Sequence, residues 1–515
     1  MNTFAQPATT TPQSPALSGE RPTDRKFPAA LVVSFLLFLN FFYFLCSTGR
    51  VRTMDEVSAA FQVESLAKRG NTAIPQAVQS KLFYGTFDRF GRPQSPYPPG
   101  QAFAMLPWYA AGQFAATHLP GVPRGARDVV SDFFLTGENA FFAALAAALA
   151  LSIFLRLGIS PKISLISAGI LALATPLASY SAWVFSEPLA AALLLGAAAV
   201  LFGDPPELPI PIHRAVAGGI FLGAAIWVRP THVIAVPVFA LAMFVRQRNK
   251  PGLGLYALAA VAAAGVALLL WRNAFLYGSL FEFGYPTAAE GGKALNTFQT
   301  PLITGLLGFL VSPGKSIFLY SPPVLLAFAG LSRLWRRDRG LALVAGLTPI
   351  VYLLFFATYT QWEGGYCYGP RYLVPAVALL GLGIGPALET ASRNVRRLAI
   401  GVFAAGLLVQ VIGVTTSFLE AAVVGGYYDA QYNYRMSFSA ISIQLHLLLY
   451  YAGMSAAAPI GLGFDKWWIF LSKAGVAAGS LWIIACTIVL GALASVWWMR
   501  LIFTRLERSS TRATN

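Results

Sequence analysis

The sequence predicts an all-α polytopic membrane protein of about twelve transmembrane helices (range about 11–13), with a large first external loop carrying surface helices. Two observations carry this reading. The chain of 515 residues is 56% hydrophobic and 11% charged, with a mean hydropathy of +0.62, whereas soluble domains hold roughly 25% charged residues. The apolar residues also gather in runs close to the ~20 residues that cross a hydrocarbon core of about 30 Å. The net charge of +16 does not point to nucleic acid. The basic residues sit in short clusters between apolar runs, where they set topology, rather than on one folded polar face.

Residues 1–26 are rich in Pro, Thr, Ser and Ala and read as a disordered cytoplasmic tail. Arg21, Arg25 and Lys26 precede an apolar run from Phe27 to Ser47, which is too long for a signal-peptide core and lacks a small-residue cleavage site. It reads as a retained anchor. The next unambiguous run starts at Phe134, so residues 48–133 form one external segment. Within it, Tyr97 to Thr117 is apolar but interrupted by Pro98, Pro99, Gly100 and Pro107. This stretch reads as a helix lying on or dipping into the surface, with a true span as the competing reading.

Charge placement supports the surface reading. With that helix outside, Arg156 and Lys162, Arg214, Arg246 to Lys250, Arg333 to Arg339, Arg393 to Arg397, and Arg500 to Arg512 all fall on the cytoplasmic side. Counting it as a span inverts every cluster. Further spans are expected at 163–183, 188–203, 215–228, 231–244, 255–271, 317–331, 341–357, 372–388, 399–418 and 474–499. Residues 300–312 are apolar but end at Ser312-Pro313-Gly314, which suggests a re-entrant or surface element. The organisation is then a membrane module over 27–418, an external loop and last span over 419–499, and a basic cytoplasmic tail over 500–515. Both termini are expected in the cytoplasm of a cell bounded by this plasma (inner) membrane.

Cys46, Cys367 and Cys486 are odd in number and far apart, so no disulfide framework is readable, and a Cys46–Cys367 pair stays open. The four histidines have no metal-ligand spacing. No cofactor is indicated. A divalent cation, if one is used, would have to be held by carboxylates.

The residues that suggest chemistry are external. Thr53 and Glu56 form a capping box that starts a helix at Met54, with Lys68, Arg69 and Gly70 as its stop. Asp55 and Glu56 therefore occupy a first turn, where the helix dipole favours ionised carboxylates. The bland reading is helix-end chemistry; the other is a base facing an acceptor hydroxyl. Glu187 begins a span beside Pro188. A charge at the bilayer centre costs roughly 2.5–3.5 kcal/mol on insertion scales, so Glu187 should face a partner or a cavity. Arg371 follows the Gly/Pro-rich turn Trp362-Glu363-Gly364-Gly365-Tyr366-Cys367-Tyr368-Gly369-Pro370. Its fork suits phosphate oxygens, with snorkelling or pairing to Glu363 as the alternatives. Arg229 and Lys315 carry the same choice. Trp183, Trp271, Trp362, Tyr366, Tyr368 and Tyr372 suit stacking against a ring, lining a lipid groove or, more simply, interfacial anchoring.

In order along the chain, the Met54-Asp55-Glu56 helix start, the Ser95-Pro96-Tyr97-Pro98-Pro99-Gly100 stretch, Glu187 and the Trp362 to Tyr372 turn resemble the GT-C superfamily of polytopic glycosyltransferases. The resemblance is to the bacterial branch related to protein mannosyltransferases and lipid A aminoarabinose transferase, and it covers residues 27 to about 390. It implies transfer of a sugar from a polyprenyl-phosphate carrier to a glycan, lipid or protein acceptor on the non-cytoplasmic face, among membrane lipids. Asp55 matches the family's catalytic carboxylate, with Glu56 beside it as a second catalytic candidate. Glu187 matches a position commonly Asp. The family's basic phosphate ligand in the first external loop has three candidate matches, Lys81, Arg89 and Arg92. Substrate-binding candidates are therefore Glu187, Arg371, Arg229, Lys81, Arg89, Arg92, Lys315, Glu363, Tyr366 and Tyr368. The competing classes are a transporter or flippase of lipid-linked sugars, which would bind at the midplane between repeats, and a non-catalytic membrane assembly partner.

Overall fold

The structure, a computed structural model, describes residues 28–203, 209–248, 252–285, 297–420, 433–453 and 463–512. The expected tail at 1–26, parts of the external segment after residue 419 and the final residues of the basic tail lie outside the described residues. The described chain is helical apart from one antiparallel ribbon pairing Thr86 with Gln94 and Phe87 with Pro93.

The first apolar run forms α1, Ala29–Cys46. The segment between α1 and the next long helix then builds α2, Met54–Arg69, a short α3, Pro75–Gln79, the ribbon, and α4, Gly100–His118. The next helix, α5, Arg127–Arg156, has 30 residues. At about 1.5 Å per residue it is roughly 45 Å long and outreaches a hydrocarbon core of about 30 Å. α4 packs antiparallel on its first half, with Gly112 against the Ser131 backbone and Gly137 against the Trp108 ring. The interrupted apolar stretch is thus a helix held against the first half of α5.

Two expected spans are each two helices. Over 163–183, α6, Pro161–Leu173, stops where Thr175 accepts from Leu177 N and Pro176 supplies no N–H, and the chain restarts as α7, Pro176–Tyr180. After α8, Glu187–Leu201, and α9, Ile212–Val228, a 3-10 turn at Pro230–Ile234 leads into α10, Ala235–Arg246, followed by α11, Leu253–Tyr277. The apolar stretch near 300–312 is α12, Leu302–Val311. The expected span at 317–331 is corrected to α13, Ile317–Tyr320, and α14, Val324–Arg337, because Ser321-Pro322-Pro323 interrupts the backbone ladder.

The chain continues as α15, Arg339–Ala357, then α16, Val374–Leu380, and α17, Ile384–Glu389, which 3-10 turns at Arg371–Leu373 and Gly381–Gly383 bracket and join. α18 follows at Arg393–Thr415. The region expected as a loop over 419–473 holds α19, Ala440–Tyr451, and α20, Trp467–Lys473, before the long α21, Ala478–Arg512. Among the described residues, seven helical stretches are long and apolar enough to cross a membrane, and six shorter apolar helices of 10–17 residues accompany them. Cys46, Cys367 and Cys486 are all free thiols, which settles the pairing left open by the sequence.

The bundle has two chemically different ends. At one, Arg156 donates to Ala199 O at 2.8 Å, Arg246 to Leu201 O at 3.0 Å and Arg337 to Leu157 O at 3.2 Å, while Arg214 bonds Val200 O. Arg246 also pairs with the buried Asp338 at 3.1 Å. These bonds satisfy carbonyls that helix C-termini leave without intrahelical partners. At the other end lie the start of α8 with Glu187, the end of α9 with Arg229, the start of α2 and the turn before α16. Because α8 and α9 each run from one end to the other, Glu187 and Arg229 are separated from the arginine clusters by the length of a helix.

Candidate active site

Asp55 owes its position to the capping box around it. Thr53 Oγ1 accepts from Glu56 N at 3.4 Å, Glu56 Oε2 accepts from both Arg52 N and Thr53 N at 2.9 Å, and Glu56 Oε1 accepts from Val184 N at 2.9 Å. The last bond ties α2 to the chain entering α8. Gly70, at φ 65°, closes α2 in the left-handed conformation expected of its stop.

Three further segments converge on Asp55. Glu187 is the first residue of α8, Arg229 is the extended residue between Val228 and Pro230, and Arg371 opens the 3-10 turn after Gly369. Gly369 has φ 66°, and a Cβ there would lie 2.5 Å from the Tyr320 ring, so only glycine can close this turn. Arg371 Nη2 meets Asp55 Oδ2 at 2.5 Å and its Nε meets Glu187 Oε1 at 2.7 Å. Arg229 Nη1 reaches the same Glu187 oxygen at 3.1 Å, and its Nη2 lies 3.9 Å from Asp55 Oδ2. The Arg371 guanidinium stacks over Phe185 at 4.1 Å and Arg229 over Tyr372 at 5.3 Å. The Tyr97 hydroxyl donates to Asp55 Oδ1.

This is a neutral quartet, two carboxylates and two guanidiniums. Glu187, with a side chain 3% exposed, lies behind the arginines, whereas Asp55, at 25%, faces an open cavity. Burial alone would raise the Asp55 pKa, but Arg371, Arg229 and the Tyr97 hydroxyl outweigh it and hold the carboxyl below its ordinary range. Burial first, and then the Asp55 charge, push the Tyr97 hydroxyl well above the ordinary tyrosine range, so it stays a donor. The cavity is walled by Asp55, Gln62, Tyr97, Gln101, Arg229 and Arg371 among others. Asp55, Ala59 and Gln62 are one stripe of α2, spaced by four and three residues.

The structure brings together Asp55, Glu187, Arg229 and Arg371 from the sequence-derived set and leaves the rest elsewhere. Glu56 is corrected as a catalytic candidate: it is fully buried, and backbone N–H groups occupy both of its oxygens. Lys81 is exposed in a left-handed turn after α3, and Arg92 pairs with Asp88 at 3.0 Å. Arg89 stacks over Phe90 and Phe275. None of the three lines the cavity.

Lys315 is buried, its Nζ 3.2 Å from Cys367 Sγ, under the turn that presents Arg371. Glu363 is half-buried in that turn, where burial raises its pKa and Lys315 opposes the rise. Tyr366 packs against the core. Tyr368 is corrected from substrate contact to core, since it is fully buried and its hydroxyl donates to Val409 O at 2.6 Å. Trp183 and Trp362 are buried in aromatic packing as well, while Trp271 is exposed on α11. Sequence reasoning missed the roles of Tyr97, Phe185, Gln62 and Gln101. The spacing of Gln62 from Asp55 on α2 was the one local signal available for any of them. Among the described residues no group of three or more His, Cys, Asp or Glu is placed to hold a metal ion.

No protein-family model and no curated protein matches the chain. Among solved structures, it is similar to ArnT from Cupriavidus metallidurans bound to undecaprenyl phosphate, with 17% identity over 92% of this chain and 76% of that one and a TM-score of 0.47. It is similar to the apo state of the same protein at 16% identity, 92% and 76% coverage and a TM-score of 0.48. It is also similar to an oligosaccharyltransferase from Archaeoglobus fulgidus tethered with an acceptor peptide, at 12% identity over 87% of this chain and 55% of that one, with a TM-score of 0.36.

Proposed function

We propose that this chain is a GT-C-type glycosyltransferase that moves a sugar from a polyprenyl-phosphate carrier to an acceptor hydroxyl on the non-cytoplasmic face. The observation that carries the reading is the shared cavity of Asp55, Arg229 and Arg371. Displacing a polyprenyl phosphate needs a base at the incoming hydroxyl and cations at the departing phosphate, and these residues supply both. The acceptor oxygen attacks the anomeric carbon, and the bond from that carbon to the phosphate oxygen breaks with its electron pair going to the phosphate. The hydroxyl proton passes to Asp55. In-line attack inverts the anomeric centre.

In the resting quartet Asp55 is a weak base, because Arg371 and Arg229 stabilise its anion. A phosphate arriving between the guanidiniums draws them off Asp55 and raises its basicity as the donor seats. Glu187, behind both arginines, keeps them from swinging out with the ligand. The sidedness of the reading is supported by the arginine clusters at the opposite end of the bundle, the pattern expected of a cytoplasmic end under the positive-inside rule. A site at one end of the helices, rather than at their midplane, favours transfer over transport.

The test is Asp55→Asn in the purified, reconstituted chain. Loss of sugar transfer with binding of polyprenyl phosphate retained supports the assignment, and undiminished transfer rejects Asp55 as the base. Mass spectrometry of surface glycans and glycolipids from a deletion strain then identifies the sugar and acceptor.

A further inference from the structure

The hairpin between α3 and α4 holds Lys81, Arg89 and Arg92, the basic residues that the cavity leaves unused. Its turn is fixed from inside. The buried Asp88 carboxylate accepts from Phe90 N, Arg92 N and Gln94 Nε2 at 2.9 Å and from Arg92 Nε at 3.0 Å, and Gly91 takes φ 73°. Arg89 and Phe90 are left exposed at the tip. That tip sits on the lipid face of a span. α11 exposes Leu268, Trp271 and Phe275, spaced by three and four residues, and buries Leu269, Arg272 and Leu276. Arg89 N donates to Leu276 O at 2.8 Å, and the Phe90 ring meets the Phe275 ring at 5.4 Å. The Arg89 guanidinium lies over both rings, at 4.9 and 5.1 Å. A two-stranded ribbon leaves edge N–H and C=O groups that hydrocarbon does not tolerate, so this contact fixes the end of α11 at headgroup level.

We infer that the hairpin over 81–92 is a bilayer-surface site for the phosphodiester headgroup of an anionic glycerophospholipid, with Lys81 and Arg89 as its cations and Phe87 and Phe90 as its anchors. The segment carries three cations and one carboxylate. Arg92 pairs with that carboxylate inside the turn, whereas among the described residues no carboxylate pairs with Lys81 or Arg89. Two cations thus face outward without a counter-charge, and phosphate oxygens supply one. Phe87 and Phe90 are 54% and 52% exposed. Rings so exposed lose free energy in water, but among basic side chains they suit the boundary between headgroups and acyl chains. The patch is continuous with the lipid face of α11 through Phe275, which favours a lipid over a soluble partner. The polyprenyl phosphate of the proposed reaction is a separate ligand, since its cations are Arg229 and Arg371 and neither Lys81 nor Arg89 lines that cavity.

Hydrogen–deuterium exchange of the full chain in nanodiscs reads this hairpin apart from the arginine clusters at the other end of the bundle. The bilayers are phosphatidylcholine alone, the same lipid with phosphatidylglycerol, and the same lipid with undecaprenyl phosphate; a further sample adds inorganic phosphate to the phosphatidylcholine discs. Peptides covering 81–92 should exchange about fivefold or more slowly with phosphatidylglycerol than with phosphatidylcholine alone, the effect of one cation near an anionic surface. Lys81→Gln with Arg89→Gln should abolish the difference, and Lys81→Arg with Arg89→Lys, which keeps both charges, should retain it. Unchanged exchange over α5 reports an intact fold in every sample. Equal exchange in the phosphatidylcholine and phosphatidylglycerol discs overturns the site, as does a difference that survives in the glutamine variant. Slowing by undecaprenyl phosphate but not by phosphatidylglycerol assigns the hairpin to the carrier, and equal slowing by inorganic phosphate assigns it to a free anion; either result overturns the lipid site.

Discussion

The guanidinium of Arg371 meets the carboxylate of Asp55 at 2.5 Å, although one residue opens the turn before α16 and the other opens α2. Local sequence could place each at the start of an element, but only packing brings them together. The pair belongs to the neutral quartet and ties α2 to the turn before α16, so several of its properties are open to measurement.

The first concerns acid stability. The Asp55 carboxyl is held below its ordinary value of 3.8 by Arg371, Arg229 and Tyr97 acting against burial. A carboxyl depressed on folding stabilises the protein above its unfolded pKa, and that contribution disappears as pH falls through the folded value. Thermal unfolding of the wild type should therefore be insensitive to Asp55 from neutral pH down to about 4 and lose stability below it. Asp55→Asn should be less stable at pH 7 and show a shallower acid fall, so that the two curves converge only as pH falls through the folded-state pKa, below 3.8. Parallel curves across this range would mean that Asp55 is not held ionised by its partners.

Much of this site was legible from the sequence in pieces. Thr53, Glu56 and Gly70 announce α2 through capping chemistry that acts over a few residues, and they form as expected. The partners of Asp55 were not legible, because Tyr97, Arg229 and Arg371 reach it through long-range packing and no local pattern encodes such pairing. The same limit explains the opposite errors. Glu56 looks chemically equivalent to Asp55 until Val184 N occupies its second oxygen, and Tyr368 looks like a surface ring until Val409 O takes its hydroxyl. The breaks at Thr175-Pro176 and Ser321-Pro322-Pro323 were hidden because apolar residues continue through them, and hydropathy does not register a missing backbone donor.

Glu187→Gln separates the two functions of the quartet. Removing one charge from a buried ion-paired cluster costs about 3 kcal/mol, so the unfolding midpoint in detergent should fall. The cluster also becomes net positive, since two guanidiniums then face Asp55 alone. Bare undecaprenyl phosphate should therefore bind more tightly while sugar transfer falls, a pairing of signs that simple unfolding would not produce. Calorimetric binding alongside turnover checks it.

Arg371→Lys keeps the charge and loses the fork. A guanidinium can hold Glu187 through Nε and Asp55 through Nη2 at once, and an ammonium on a flexible stem has no such fixed geometry. Carrier binding should weaken about tenfold or more, on the scale of a charge-assisted hydrogen bond of roughly 1.5–3 kcal/mol. Wild-type affinity in the lysine variant would show that the phosphate needs only a point charge there.

Gly100 gives the most local test of how packing sets the site. It begins α4, and a Cβ at this position would lie 2.4 Å from the carbonyl carbon and oxygen of Trp227, two residues before Arg229. Both atoms are backbone, so no side chain can swing aside, and Gly100→Ala must push α4 away from the end of α9. Overpacking of this kind costs typically 1–3 kcal/mol. The displacement falls between Tyr97 and Gln101, which flank Gly100 in sequence, and Arg229, and all three line the cavity. Gly100→Ala should thus lower transfer by more than its loss of stability accounts for at the assay temperature. Gly169→Ala, on α6 where a Cβ meets nothing within 4 Å, should leave transfer unchanged and raise stability slightly, by about 0.5–1 kcal/mol. Equal activity in the two variants, measured on folded protein, would show that the α4–α9 approach does not control the geometry of Arg229.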